Sequence, residues 1–234
     1  MAATSNAPPT GEVSDRERPA AEGPLPVDLP ADVGEVLLRL ARAVVHATAS
    51  GRLRTTDLLD FLPREPPAAL LAPSAAFVTL HEGGDLRGCV GSLETDVALW
   101  ETVTSAAVGA AARDPRFFPV TEREISSLLI EVSVLGPPVP LPDPSAFRPG
   151  IDGIIVERGG RRGLLLPEVA TDQGWNVGEM LDCACRKAGL PEDAWLDART
   201  QLFVFRTARV SDADANDGIA TRTADRICPR DSGR

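Results

Sequence analysis

Cys89 is a thiol in a distinctive setting, within Leu86-Arg87-Gly88-Cys89-Val90-Gly91. A cysteine acts as a nucleophile through its thiolate, and a guanidinium close by favours that form. If the stretch is a strand, alternation puts Arg87, Cys89 and Gly91 on one face and Leu86, Gly88 and Val90 on the other. Arg87 is then expected about 7 Å from Cys89, two residues at roughly 3.3 Å each. In this reading Cys89 and Arg87 are catalytic, and Gly88 and Gly91 let a substrate approach the backbone. The alternative is a small buried residue on a tightly packed strand, since free cysteine is among the most buried residue types. No histidine lies close in sequence to serve as its base.

Other groups could complete such a site. Glu131 sits in an otherwise apolar strand, where a buried carboxylate needs an arginine partner; it is either a structural pair or a perturbed acid. Asp114 is a further acid or base candidate. Arg87, Arg113 and Arg116 could form an anion site with Arg161 and Arg162, or could instead pair with Asp114, Glu131 and other carboxylates. Trp175, before a helix cap, either lines a cleft or packs. Cys183 and Cys185 point about 200° apart on a helix and cannot readily share a metal. With His46 read as solvent-facing and His81 placed in a hairpin loop, no metal site is expected, and no cofactor motif is present.

The elements that position these residues follow from patterning. Phe77 to Leu80 and Leu86 to Val90 read as a hairpin around a glycine loop. Val33, Val36, Leu37, Leu40, Val44 and Ala47 give a helix over Asp32 to Ala49, and the Leu58, Leu59, Phe61 run leads into a Pro-rich connection. Thr95 or Asp96 is expected to cap a helix from Val97 to Ala112, whose second half is nearly all small residues and is stopped by Pro115. Thr121 with Glu124 reads as a capping box opening a short helix. Leu128 to Leu135 is a strand with Ile130, Val132 and Val134 on its apolar face. Residues 154–157 and 163–166 form a second glycine hairpin, Asn176 caps a helix ended by Gly189, and Gln201 to Arg206 is a last strand. The expected domains are a disordered arm over 1–29, a folded domain over 30–208, and a disordered tail over 209–234.

The chain has 234 residues, a net charge of −10 and a single lysine, Lys187. That balance argues against a general nucleic-acid binder, and the lone lysine leaves one residue for Schiff-base chemistry. No apolar run reaches membrane-spanning length, so no membrane partner is expected. Four cysteines without paired spacing suit a reduced, cytoplasmic setting. Strands and helices in mixed order favour an α+β fold over a parallel doubly wound sheet.

Leu86 to Leu93, Arg113-Asp114-Pro115-Arg116-Phe117, Ile130 to Leu135 and Gly163 to Pro167 together resemble the AMMECR1 domain family, in order and spacing, over roughly Asp32 to Arg206. The resemblance implies an α+β fold of mostly antiparallel sheet with flanking helices, in a larger and a smaller subdomain sharing a cleft. It also implies an intracellular partner or accessory protein that works with a Memo-like protein and a radical-SAM protein in a modification system. The residues themselves keep an alternative open, a cysteine-dependent enzyme acting on a small anionic substrate through Cys89. A pocket reaching Cys89 with converging arginines would favour the enzyme, and a flat apolar patch would favour docking.

Overall fold

The structure is a computed structural model that describes residues 27–53, 62–93 and 96–212. The Leu58, Leu59, Phe61 run, Thr95, and all but the edges of the expected arm and tail, Cys228 included, lie outside the described residues.

Helix α1 (Ala31–Ala49) and the single turn α2 (Ala68–Leu71) lead into β1 (Ala76–Glu82) and β2 (Asp85–Ser92). The two strands are joined at Gly83 and Gly84, both at positive φ, the conformation a tight hairpin turn requires. Helix α3 (Leu99–Ala112) follows, then β3 (Leu128–Leu135). These strands and a late one, β8 (Thr207–Ser211), make an antiparallel sheet in the order β2-β1-β3-β8.

Register sorts this sheet into two chemically different faces. Leu80 pairs with Gly88 and Ile130, and Val78 with Val90 and Val132, giving an apolar face. It packs under α1 and α3 in one core with Leu37, Leu40, Val103 and Ala107, each essentially without exposure. Gly88 is there for close approach: a Cβ on it would lie 2.3 Å from the Ala110 carbonyl oxygen of α3. The small residues of α3 thus let the helix sit directly on the sheet. Gly88→Ala is expected to destabilise the fold by about 1–3 kcal/mol, as overpacking does, read as a shift of the urea midpoint at unchanged slope. An unshifted midpoint would show that α3 can retreat freely.

The second half is built alike. Strands β4 (Val139–Pro140), β5 (Gly153–Arg158), β6 (Arg161–Leu165) and β7 (Gln201–Phe205) form an antiparallel sheet in the order β4-β7-β5-β6. Helices α4 (Pro167–Gln173) and α5 (Val177–Lys187) pack with it around a second core containing Ile154, Leu165, Met180 and Leu181. A Cβ on Gly163 would lie 2.3 Å from the Ala184 carbonyl oxygen, so α5 sits on β6 as α3 does on β2. The Asn176–Glu179 capping box is complete, and Gly189 takes the left-handed position beyond α5.

The chain crosses between the halves after Leu135 and again at Arg206, and the crossings are tied by a Gly136 N–H to Arg206 carbonyl bond of 2.8 Å. Asp152, 1% exposed, ion-pairs with both Arg148 and Arg206 beside this junction. Among the described residues no helix is long and apolar enough to cross a membrane.

Three local expectations are corrected. Thr121 and Glu124 make only a turn: six residues remain before β3, and the Glu124 carboxylate is shared between the Thr121 amide and hydroxyl and Arg87. Helix α3 starts at Leu99 without a side-chain cap from Asp96, and the Leu99 amide donates to the Ala72 carbonyl instead. The first residues of the tail expected over 209–234 belong to β8, where Val210 fills the space left by Gly34 on α1.

Candidate functional site

Opposite its helix-covered face, the first sheet carries a polar row running straight across four strands: Cys89, Thr79, Glu131 and Ser211. The second half closes over this row with Leu164, Leu166, Glu168 and Val169, from the end of β6 and from α4. Between them is a cleft of about 400 Å³ that reaches Cys89. Its walls are mainly apolar, with few polar groups converging at the floor, the form that small-molecule sites usually take.

The Cys89 thiol accepts a hydrogen bond from the Thr79 hydroxyl at 3.4 Å. Burial nevertheless pushes the thiol above its ordinary range, outweighing the Thr79 bond and the positive charges of Arg116 and Lys187. The surroundings of Cys89 therefore favour the thiol over the thiolate.

Arg87 is not the arginine beside it. The pairing steps from Leu80–Gly88 to His81–Leu86, so Arg87 is the extra residue of a β-bulge. The bulge moves Leu86 onto the cleft face and sends Arg87 elsewhere. Its guanidinium bonds to Glu124 at 2.7 Å and to the Phe118 carbonyl at 2.9 Å, and holds the Glu124 carboxyl down at about 2 with help from Thr121. The expected shared face of Arg87 and Cys89 is thus corrected by one inserted residue.

Arg116 takes the place expected of Arg87, together with Asp114. The Cys89 amide donates to Asp114 at 2.9 Å, and Arg116 donates to the Cys89 carbonyl at 3.3 Å. Arg116 also contacts Asp114 through Nε at 2.9 Å and Nη2 at 2.7 Å. The pair stands where a neighbouring strand would be, capping the open edge of β2 at Cys89. Burial opposes ionisation of Asp114, but Arg116 and the two amides prevail and keep its carboxyl below the usual range.

Glu131, 2% exposed, pairs with Arg209 of β8 at 3.4 Å, the structural pairing its strand position required. Glu168 faces it across the cleft, within 3.5 Å of the Ser133 hydroxyl. Burial, then the Glu131 and Asp172 charges, raise the Glu168 carboxyl to about 7 in spite of its own backbone amide and Arg209. Lys187 reaches the cleft from α5 and donates to the Leu164 carbonyl at 2.9 Å.

The remaining expected residues are dispersed. Gly88 packs on α3, and a Cβ on Gly91 would meet the Phe77 ring at 2.3 Å, so both glycines serve packing rather than substrate approach. Arg161 and Arg162 lie at a separate concavity of the second hairpin, where Arg162 pairs with Glu157 at 2.8 Å and Arg161 bonds to the Gly189 carbonyl. Arg113 is exposed at the end of α3. Trp175 packs against the second core. The arginines therefore do not converge on Cys89. His46 is exposed as expected, but His81 belongs to β1 and lines the cleft. Among the described residues no group of three or more His, Cys, Asp or Glu side chains could hold a metal ion.

Sequence reasoning missed Thr79, His81, Glu168 and Lys187 as cleft residues. Alternation from Cys89 through the hairpin could have found Thr79. Glu168 carries no local signal, because only the packing of α4 against the first sheet turns it inward.

Two helix-backed antiparallel sheets with a thiol-bearing cleft between the halves define an α+β protein of AMMECR1 architecture, and the chain belongs to the AMMECR1 family, whose model matches residues 38–210. It is similar to a protein of Methanothermobacter thermautotrophicus, 43% identical over 183 residues, spanning 75% of this chain and 92% of the relative. A Pyrococcus furiosus protein is 39% identical over 199 residues, spanning 81% and 92%. The crystal structure of an uncharacterised protein from Pyrococcus horikoshii superposes with a TM-score of 0.69 at 37% identity, covering 76% of this chain and 90% of that one.

Proposed function

We propose that the cleft binds a small molecule or a partner's side chain and that Cys89 and Glu168 are the groups that meet it, the thiol as nucleophile and the carboxyl as the group that exchanges a proton. The observation that carries this reading is the convergence of one thiol and one near-neutral carboxyl on a mostly apolar cleft of about 400 Å³. In the modification system implied by the resemblance, alongside Memo-like and radical-SAM proteins, this cleft would hold the group being modified. A flat docking face is the weaker reading, because the motif residue Cys89 opens into a concavity. An anionic substrate is also the weaker choice, since Arg87 and Arg116 are already bonded to Glu124 and Asp114.

The test is the rate of Cys89 alkylation by iodoacetamide across pH, mapped by mass spectrometry. The folded protein should label slowly at neutral pH, and the rate should keep rising beyond pH of about 8.5, where an ordinary thiol levels off. Thr79→Val should slow labelling further, by removing the bond that favours the thiolate. A Cys89 that reacts only after unfolding would make the thiol structural and end this reading.

A further inference from the structure

We infer that the cleft takes a small organic cation, an amine or guanidinium on an apolar body, with its positive charge lodged between Glu131 and Glu168. This rests on the reading of the cleft as a ligand site and names what that site accepts.

Arg116 is held by Asp114, Arg209 by Glu131, and Lys187 by the Leu164 carbonyl. Each fixed positive charge near the cleft is committed to a neighbour. Glu131 from β3, Glu168 and Asp172 from α4, Asp114 from the loop after α3 and His81 from β1 all line the same space. Glu168 forms no ion pair among the described residues, and its hydrogen-bond neighbour is the neutral Ser133 hydroxyl. Glu168 thus stands beside Glu131 without an ion pair of its own, and a carboxyl in that position either keeps a proton or receives a cation. The elevated range of Glu168 is the first of these outcomes. A bound cation produces the second, expelling the proton, so binding tightens as pH rises through about 7.

The walls restrict the rest of the ligand. Phe77, Leu86, Leu164, Leu166 and Val169 offer apolar contact around the charged floor, so a heavily hydrated or polyanionic molecule fits poorly.

Cys89 lies in the same cleft and can report its charge preference. Methanethiosulfonates form a mixed disulfide with a thiol as sulfinate leaves, and they can carry an ethylammonium or ethylsulfonate group or a smaller, neutral methyl group. Rates at Cys89 would be divided by those of a short cysteine peptide, in ~0.3 M salt to screen the overall charge of the chain. The ethylammonium to ethylsulfonate ratio at Cys89 is expected to exceed that of the peptide by about tenfold or more at pH near 8. It should shrink near pH 6 in the wild type and lose that pH dependence in Glu168→Gln, which keeps the shape of the residue. A ratio equal to that of the peptide, or one favouring the sulfonate, overturns the inference while leaving the cleft a ligand site. Failure of all three reagents, the neutral methyl one included, to reach Cys89 in the folded protein overturns both.

Discussion

Asp114→Ala is expected to destabilise the protein by about 3 kcal/mol or more, the range seen when one partner of a buried ion pair is removed. Asp114 is 5% exposed and accepts from the Cys89 amide, the Arg116 amide and the Arg116 guanidinium. Alanine leaves two part-buried donors and a cation without their acceptor and reopens the edge of β2. Arg116 keeps 45% of its side chain exposed and can turn to solvent, which places the effect at the lower end of that range. Asp114→Asn keeps one acceptor and should cost less. Because the Asp114 carboxyl sits below its ordinary range, its contribution is present above the usual carboxylate pKa and fades as the medium becomes more acid. Urea unfolding of both variants is the measurement, and a loss below about 1 kcal/mol for alanine would show that the pair is not what holds Cys89 in place.

The second large effect is a gain. Glu168 titrates near 7 in the folded protein against 4.5 in an open chain, so between those values the native state keeps a proton that the unfolded state has lost. Its contribution is complete below the lower value and is lost as pH rises through the higher one. Glu131 and Asp172 oppose the charged form, and Arg209 favours it. Glu168→Gln removes this titration, so the variant should outlast the wild type at pH of about 8 by roughly 2–3 kcal/mol and match it closely near pH 5. Parallel stability profiles for the two proteins would place Glu168 in water instead of against Glu131.

Much of this arrangement can be read from the residues, and the exceptions have physical reasons. Period-two alternation over Leu128 to Leu135 assigned Ile130, Val132 and Val134 to one face and Glu131 to the other, because one face of β3 is buried under helices and a one-residue slip would expose it. The same rule failed at Arg87, where a bulge inserts one residue and reverses the alternation beyond it. No residue type announces that bulge, so alternation alone points to Arg87 and not to Arg116, 27 positions downstream, as the arginine beside Cys89. Asn176 with Glu179 was legible since both halves of that cap are local. Thr121 with Glu124 had the same letters, but Arg87 competes for the carboxylate and β3 begins too soon. Glu168 and Lys187 come from the other half of the molecule, and their arrival in the cleft is a tertiary fact that no local pattern encodes.

On this reading, the space between Cys89 and Glu168 is where the protein holds its ligand. Crystals soaked with a library of small apolar amines, alcohols and carboxylates would test it most directly. Amines should collect in this cleft, with nitrogen between Glu131 and Glu168 and the apolar portion against Leu164 and Val169. Fragments gathering at other surfaces, with the cleft left empty at saturating concentrations, would contradict it.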